Sequence, residues 1–369
     1  RRAQSLPKKT LDNGDRFIDG LKLANAFGVK FKLRLPFPAL RPFAPFGETV
    51  LISIKNTMPD YRFLQLDVFT DRAFCGNPLA VFPEAEGIPD DQMGQIAREM
   101  NLSETVFVLK PEADEALRRL RIFTPAREIP FAGHPIVGTW AILAREGVVP
   151  LPDGGNGWQR IFHEVGIGVL PIDIEFKDGQ PVQVVMTQGK FEIISEIDDA
   201  HEQAEVARAL GLSRDDLDES LPIQVITTGL SCLAVPVRSL ADLRDVRINT
   251  SLLAEIYTRH GGTGCHAFTR ETLEVGAARA HARFFAPADN IPEDPATGSA
   301  CGALGGYLIH HGALSLEPED GRYRFVIEQG DFINRPSRIN LDVKGEAGRV
   351  EEVKVGGSAV LVARGEMLI

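Results

Sequence analysis

Cysteine, tryptophan and tyrosine are scarce in this chain: four, two and four among 369 residues. Cys75, Cys232, Cys265 and Cys301 are widely spaced and form no CxxC pair. That argues against a disulfide framework or a zinc site and makes a reducing, cytoplasmic compartment the expectation. No run of eighteen apolar residues occurs, so no membrane-spanning helix is predicted. Positive charge is in deficit, with 40 Lys and Arg against 51 Asp and Glu and a net charge of −11. Nucleic acid and anionic membranes, which select basic patches, are therefore poor candidates as partners. The eight histidines form no HExxH pair; His310 and His311 close a predicted helix, where a cation suits the dipole. "GGTGCH" at 261–266 lacks the GxGxxG spacing and a following acid, so neither a metal nor a nucleotide cofactor is expected.

What is present is ordinary globular material, 44% hydrophobic with a mean hydropathy of −0.06, long enough for two domains. The charge is unevenly spread. Residues 1–57 carry eleven basic and four acidic side chains, a net +7 that leaves −18 for the rest. This proline-studded stretch reads as a disordered upstream extension ahead of a start near Met58, with a basic transit peptide as the alternative.

From residue 61 strands and helices alternate. "RFLQLDVFT", "NPLAVF", "ETVFVLK" and "LRRLRIFTP" read as strands, and "IPDDQMGQIAREMN" as an amphipathic helix with Pro89 and two acids at its start. "PIVGTWAILAREG" reads as a second helix. The other half follows the same pattern, with "VQVVMTQ", "CLAVPV", "HAFTRE" and "AHARFFAP" as strands. "DDAHEQAEVARALGL" and the glycine-rich "GSACGALGGYLIHHG" read as its helices, and a β-rich tail comes last.

One phrase is written twice. "RIFTPAREIP" at 121–130 and "RFFAPADNIP" at 283–292 agree in six of ten columns, and each precedes a predicted helix. Two equivalent halves follow, each offering a strand, a Pro-containing turn and a helix N-terminus to one cleft. Helix N-termini carry unpartnered N–H groups and partial positive charge, so a facing pair would hold a small anion. "FAGHP" and "PATGS" place small residues there, Gly133 before the first helix and Gly298 before the second, with Thr297 and Ser299 beside the latter. Proton carriers lie at the same places: His134 in one turn, Asp294 in the other, and Glu104 at a strand start. Each has a structural alternative: a solvated or capping Glu104, a satisfied His134, a helix-capping Asp294.

"LDVFTDRAFCGNPLAVF", "MNLSETVFV", "IFTPAREIPFAGHPIVGTW", "FFAPADNIPEDPATGSACGALGGYL" and "QGDFINRPSRI" occur in order over residues 61–340. Together they resemble the PhzF-like phenazine-biosynthesis isomerases. The resemblance implies an α+β, diaminopimelate-epimerase-like fold of two pseudo-symmetric lobes, each a mixed sheet around a central helix. Lobes at 58–182 and 183–369 are expected, with the final strand crossing back to the first lobe. It implies cofactor- and metal-independent isomerisation of a small carboxylate-bearing substrate, a homodimer, Glu104 as the proton carrier, and His134 and Asp294 assisting. Gly133, Gly298, Thr297 and Ser299 would then contact the substrate. The rival readings are an amino-acid or hydroxy-acid racemase working through two thiols, and an idle binding protein of the same fold. The first-lobe turn has no cysteine, and Cys301 falls inside a helix, which disfavours the thiols.

Overall fold

Strand β1 (Asp60–Val68) opens the part of the chain that the computed structural model describes, residues 60–369, so what was expected of residues 1–57 lies outside the described residues. It turns back into β2 (Asn77–Phe82), followed by helix α1 (Asp90–Met100), β3 (Glu104–Leu109), β4 (Arg119–Phe123) and the short β5 (Glu128–Ile129). Helix α2 (Gly133–Arg145) comes next, then the meander β6 (Gly157–Val165), β7 (Gly168–Lys177) and β8 (Gln180–Thr187). The second series runs β9 (Glu192–Ile197), α3 (Ala200–Ala209), β10 (Ile223–Thr227), β11 (Cys232–Pro236), α4 (Leu240–Asp245) and α5 (Thr250–Arg259). It continues through β12 (Gly264–Thr269), β13 (Ala278–Ala286), β14 (Ile291–Asp294) and α6 (Gly298–His310). The meander β15 (Arg322–Gln329), β16 (Ser337–Glu346) and β17 (Arg349–Gly357) precedes the last strand, β18 (Ala359–Leu368).

Local chemistry accounts for the helix limits. Helix α1 follows Pro89, carries Asp90 and Asp91 in its first turn, and ends at Asn101 in the left-handed region. Helix α3 is capped by Asp199, whose carboxylate accepts from the Glu202 N–H.

The duplication is visible in the sheet. From β1 the partners run antiparallel to β2, parallel to β3, antiparallel to β4, parallel to β6, then antiparallel to β7 and β8. From β10 the same senses recur through β11, β12, β13, β15, β16 and β17. Strands β8 and β17 pair antiparallel and join the two series. Strand β9 flanks β10, and β18, from the far end of the chain, flanks β1 in the equivalent place. The repeated phrase occupies β4–β5 in one series and β13–β14 in the other. Its matched Arg and Phe stack alike: Arg121 over Phe123 at 5.3 Å and Arg283 over Phe285 at 5.1 Å.

Each series encloses one helix. Helix α6 is buried from Ala300 to Ile309, as its lack of a polar face predicts. Its glycines admit the sheet: a Cβ on Gly302 would lie 2.8 Å from Val355, and one on Gly306 2.6 Å from the Phe191 ring. Helix α2 is the counterpart, with Trp140 fully buried among the first-series strands. Helices α3, α4 and α5 cover a separate apolar layer built on Val206, Leu253, Ile256 and Phe285. His311, expected as a cation at the end of α6, is instead a partly buried ring 2.9 Å from Gln224 Oε1. Burial, and then the charge of His310, lower its pKa, so the dipole does not decide its protonation.

Two stability consequences follow from these contacts. In α2 a Cβ on Gly138 would sit 2.6 Å from both Leu79 Cδ2 and Val68 Cγ2, two fully buried side chains. Gly138→Ala gains about 1 kcal/mol of helix propensity but overpacks the core at about 1–3 kcal/mol. A net loss is therefore expected in urea unfolding, the reverse of an exposed-helix Gly→Ala change. Burial also pushes the pKa of His163, beside Trp140, down from 6.5 to about 4, and that of His266 down to about 3. Both stay neutral when folded and take up a proton near 6.5 once unfolded, so stability falls as pH drops below that value. The urea midpoint should decline from pH 6.5 to 4, and more shallowly in His163→Leu, by up to about 3 kcal/mol at the acid end. Parallel curves would remove His163 from the account.

Candidate active site

Glu104 is the first residue of β3, fixed by parallel pairing with Leu79 on β2. His134 lies in the first turn of α2, which starts from an extended Ala132 that provides no side-chain cap. The two side chains meet: His134 Nε2 is 3.0 Å from Glu104 Oε2, with 8% and 14% of the side chains exposed. Among the described residues neither buried atom has a well-aligned hydrogen bond. Buried polar atoms are rarely left so, and exceptions gather where a further group is handled.

Asp294 approaches from the other series, as the last residue of β14. One carboxylate oxygen accepts from Asn77 Nδ2 at 2.9 Å and the other from the Thr297 hydroxyl. Asn77 is fully buried at the start of β2 and also donates to the Ala296 carbonyl at 3.0 Å, so it ties the first series to the second. Gln329, on β15, fixes the turn from behind. Its Nε2 donates to the Asp294 carbonyl at 2.7 Å, and its Oε1 accepts from the Thr297 N–H at 3.2 Å.

Electrostatics couple the three candidates. Burial opposes a charged His134, but the Glu104 carboxylate and the Asp294 charge outweigh it and hold its pKa above 6.5. Burial raises the Asp294 pKa above the ordinary 3.8, and the Glu104 charge adds to this; His134, Thr297 and Asn77 pull the other way without prevailing.

The helix starts adjoin. A Cβ on Gly133 would lie 3.4 Å from Ser299 Oγ and 3.8 Å from the Ser299 nitrogen. Neither Ala132 nor Thr297 caps its helix with a side chain, so two sets of first-turn N–H groups meet beside the carboxylates. Gly298 has a different reason to be glycine than ligand access. The ring of Phe69, a buried residue with φ of 64°, would stand 2.9 Å from a Cβ there. Thr297 has its hydroxyl committed to Asp294 and Gln329. Cys301 is fully buried, its thiol donates to Gln329 Oε1, and burial pushes its pKa well above 9, which unsuits it to proton abstraction. Asn77 and Gln329 were not singled out from the sequence; each is polar, wholly buried and bonded to a residue far away in the chain. A separate groove of about 780 Å³, lined by Trp158, Arg160, Asp173, Arg324, Asp342 and Lys354 among others, contains none of the candidate residues.

The phenazine biosynthesis-like protein (PhzC-PhzF) family model matches residues 66–365. The chain belongs to this family. An uncharacterized isomerase of Clostridium acetobutylicum is 34% identical over 309 residues, 84% of this chain and 98% of that protein. The trans-2,3-dihydro-3-hydroxyanthranilate isomerase of Pseudomonas aeruginosa is 34% identical over 306 residues, 83% of this chain and 98% of that enzyme. A solved PhzF-family phenazine biosynthesis protein from Bacillus anthracis has a TM-score of 0.73 at 29% identity, covering 85% of this chain and all of that one. The protein is a PhzF-like isomerase acting on a small molecule, with the α+β fold of the diaminopimelate epimerases.

The electrostatic coupling in the PhzF-like site can be measured directly. In Glu104→Gln the charge that offsets burial is lost, so the His134 imidazole should titrate at lower pH than in wild type, as followed by nitrogen-detected NMR. An unmoved midpoint would separate the two residues electrically despite the 3.0 Å contact.

Proposed function

We propose that this isomerase moves one proton within a small carboxylate-bearing substrate, without cofactor or metal, and that Glu104 carries it. The observation that carries the reading is the buried Glu104–His134 pair, 3.0 Å apart, beside two helix starts without side-chain caps. The N–H groups of Gly133 and Ser299 suit the substrate carboxylate, with their dipoles favouring negative charge there. Glu104 takes a proton from carbon, and the electron pair left behind spreads through the conjugated system. His134, whose pKa its acidic neighbours raise, and Asp294, whose burial favours its protonated form, donate hydrogen bonds as negative charge develops. Return of the same proton to a different carbon completes an isomerisation with no net loss of atoms. Substrate enters only when the two lobes part, because the pair is buried as it stands.

We take trans-2,3-dihydro-3-hydroxyanthranilate, the molecule named for the Pseudomonas relative, as the first substrate to try. The lobes expected at 58–182 and 183–369 are better divided after β8, which spans 180–187, with β18 assigned to the first lobe. Four buried free cysteines fit a reducing cytoplasm, and a homodimer is proposed on the family resemblance alone.

Proton exchange in D₂O, followed by NMR on that compound and on a panel of small amino- and hydroxy-carboxylates, tests the reading. Wild type should isomerise or exchange at least one of them, and Glu104→Gln should be slower by about 10²–10⁴. Full activity in the variant would move the proton carrier elsewhere. Exchange at a carbon bearing the carboxylate, with inversion, would instead favour an epimerase.

A further inference from the structure

Arg283 is an arginine on β13 with only 8% of its side chain exposed, and it touches none of the proton carriers. Its Nε and Nη2 donate to the two oxygens of Glu293 at 2.9 and 2.6 Å, a bidentate clamp. Its Nη1 donates to the carbonyls of Leu243 and Val246, both at 3.0 Å, at the C-terminal end of α4. The guanidinium also lies 5.1 Å from the Phe285 ring and 5.7 Å from that of Phe332. Arg283 is thus held on several sides before it grips Glu293.

Glu293 and Asp294 are neighbours on strand β14, and neighbours on a strand point to opposite faces. Fixing Glu293 on one face therefore fixes the angle at which Asp294 leaves the other. Asp294 lies opposite Phe284 in the ladder, one residue from Arg283. The first series also clamps the arginine in the matching column of the repeated phrase, although its acceptor, Glu128, aligns with Asn290 of the second copy and not with Glu293. Arg121 Nε and Nη2 each donate at 2.8 Å to Glu128, on the short strand that leads into the turn bearing Gly133 and His134.

We propose that Arg283 and Glu293 are positioning residues that aim Asp294 into the site, and that Arg121 and Glu128 hold the first-lobe turn in the same way. The matched arginine of each copy thus grips a nearby glutamate, Glu128 inside the first copy and Glu293 one residue past the second. The inference rests on the proposed role of Asp294. Arg283→Lys keeps the charge but loses the fork, so the strand can rotate while the pocket stays charged. Glu293→Gln keeps the shape and weakens the same contact.

The test uses the full chain in two readouts, one without substrate. With trans-2,3-dihydro-3-hydroxyanthranilate as the probe, Arg283→Lys and Glu293→Gln should lower kcat by about 10²-fold, the scale of a misplacement near 1 Å, with KM changed far less. In the absence of substrate, both should move the His134 NMR titration in the direction given by Asp294→Asn, because among the described residues Glu104 and Asp294 are the charges that act on His134. Glu293→Asp, which can re-form the fork, should recover part of both effects. If Asp294→Asn alters kcat and the His134 midpoint while both clamp variants leave them at wild-type values, the clamp is structural only and the proposal is overturned. If Asp294→Asn itself changes neither, the reading of Asp294 fails, and the proposal with it. Should wild type not turn over the probe, the His134 titration still decides the clamp.

Discussion

Two buried helices brought together at their N-terminal ends set the constraint that the rest of the PhzF-like structure answers. Each start has unpartnered N–H groups and about half a positive charge, and Gly133 stands close enough to Ser299 that a Cβ would be in van der Waals contact. Such an approach is unfavourable unless negative charge is placed beside it. Glu104 and Asp294 bring one carboxyl group each, from the two halves of the chain, and His134 lies against Glu104. A bound carboxylate would add to the same balance. Much else in the fold serves that meeting: glycines that let α6 lie against the sheet, Phe69 seated over Gly298, and Asn77 reaching from β2 to Asp294.

Besides the β8–β17 ladder, a second group of bonds between the halves gathers at the β1–β2 turn. Asn77 reaches Asp294, Arg335 donates to Asp67 at 2.6 Å and to the Gly76 carbonyl at 2.9 Å, and the Gly76 N–H donates to the Pro336 carbonyl. Asp67 also accepts from the Phe74 N–H, which places Phe74 at the surface with φ of 67°. The β1–β2 turn is therefore held as much by the second half as by its own strands.

Much of this was legible in the residues. The strands before each buried helix alternate cleanly, and the repeated phrase marks the equivalent β4–β5 and β13–β14 segments. The motif-bearing residues Glu104, His134 and Asp294 do come together, through charge coupling and one short contact. Other parts were hidden for physical reasons. The β6–β7 hairpin escaped notice because β6 has apolar side chains on both faces, Trp158 and Phe162 outward and Ile161 and Val165 inward, which blurs a period of two. At Gly298 a sequence shows a missing side chain but not the Phe69 ring that a Cβ there would meet at 2.9 Å. Asn77 and Gln329 read as ordinary turn and strand residues; their importance lies in partners 217 and 35 residues away.

Strand β18 lies beside β1 although some 290 residues of chain separate them. During synthesis the first lobe therefore waits, with one flank of β1 unpaired, until the last strand has left the ribosome. The halves look like two copies of one unit, yet the first is completed only by a strand from the end of the second, which ties its folding to synthesis of the whole chain.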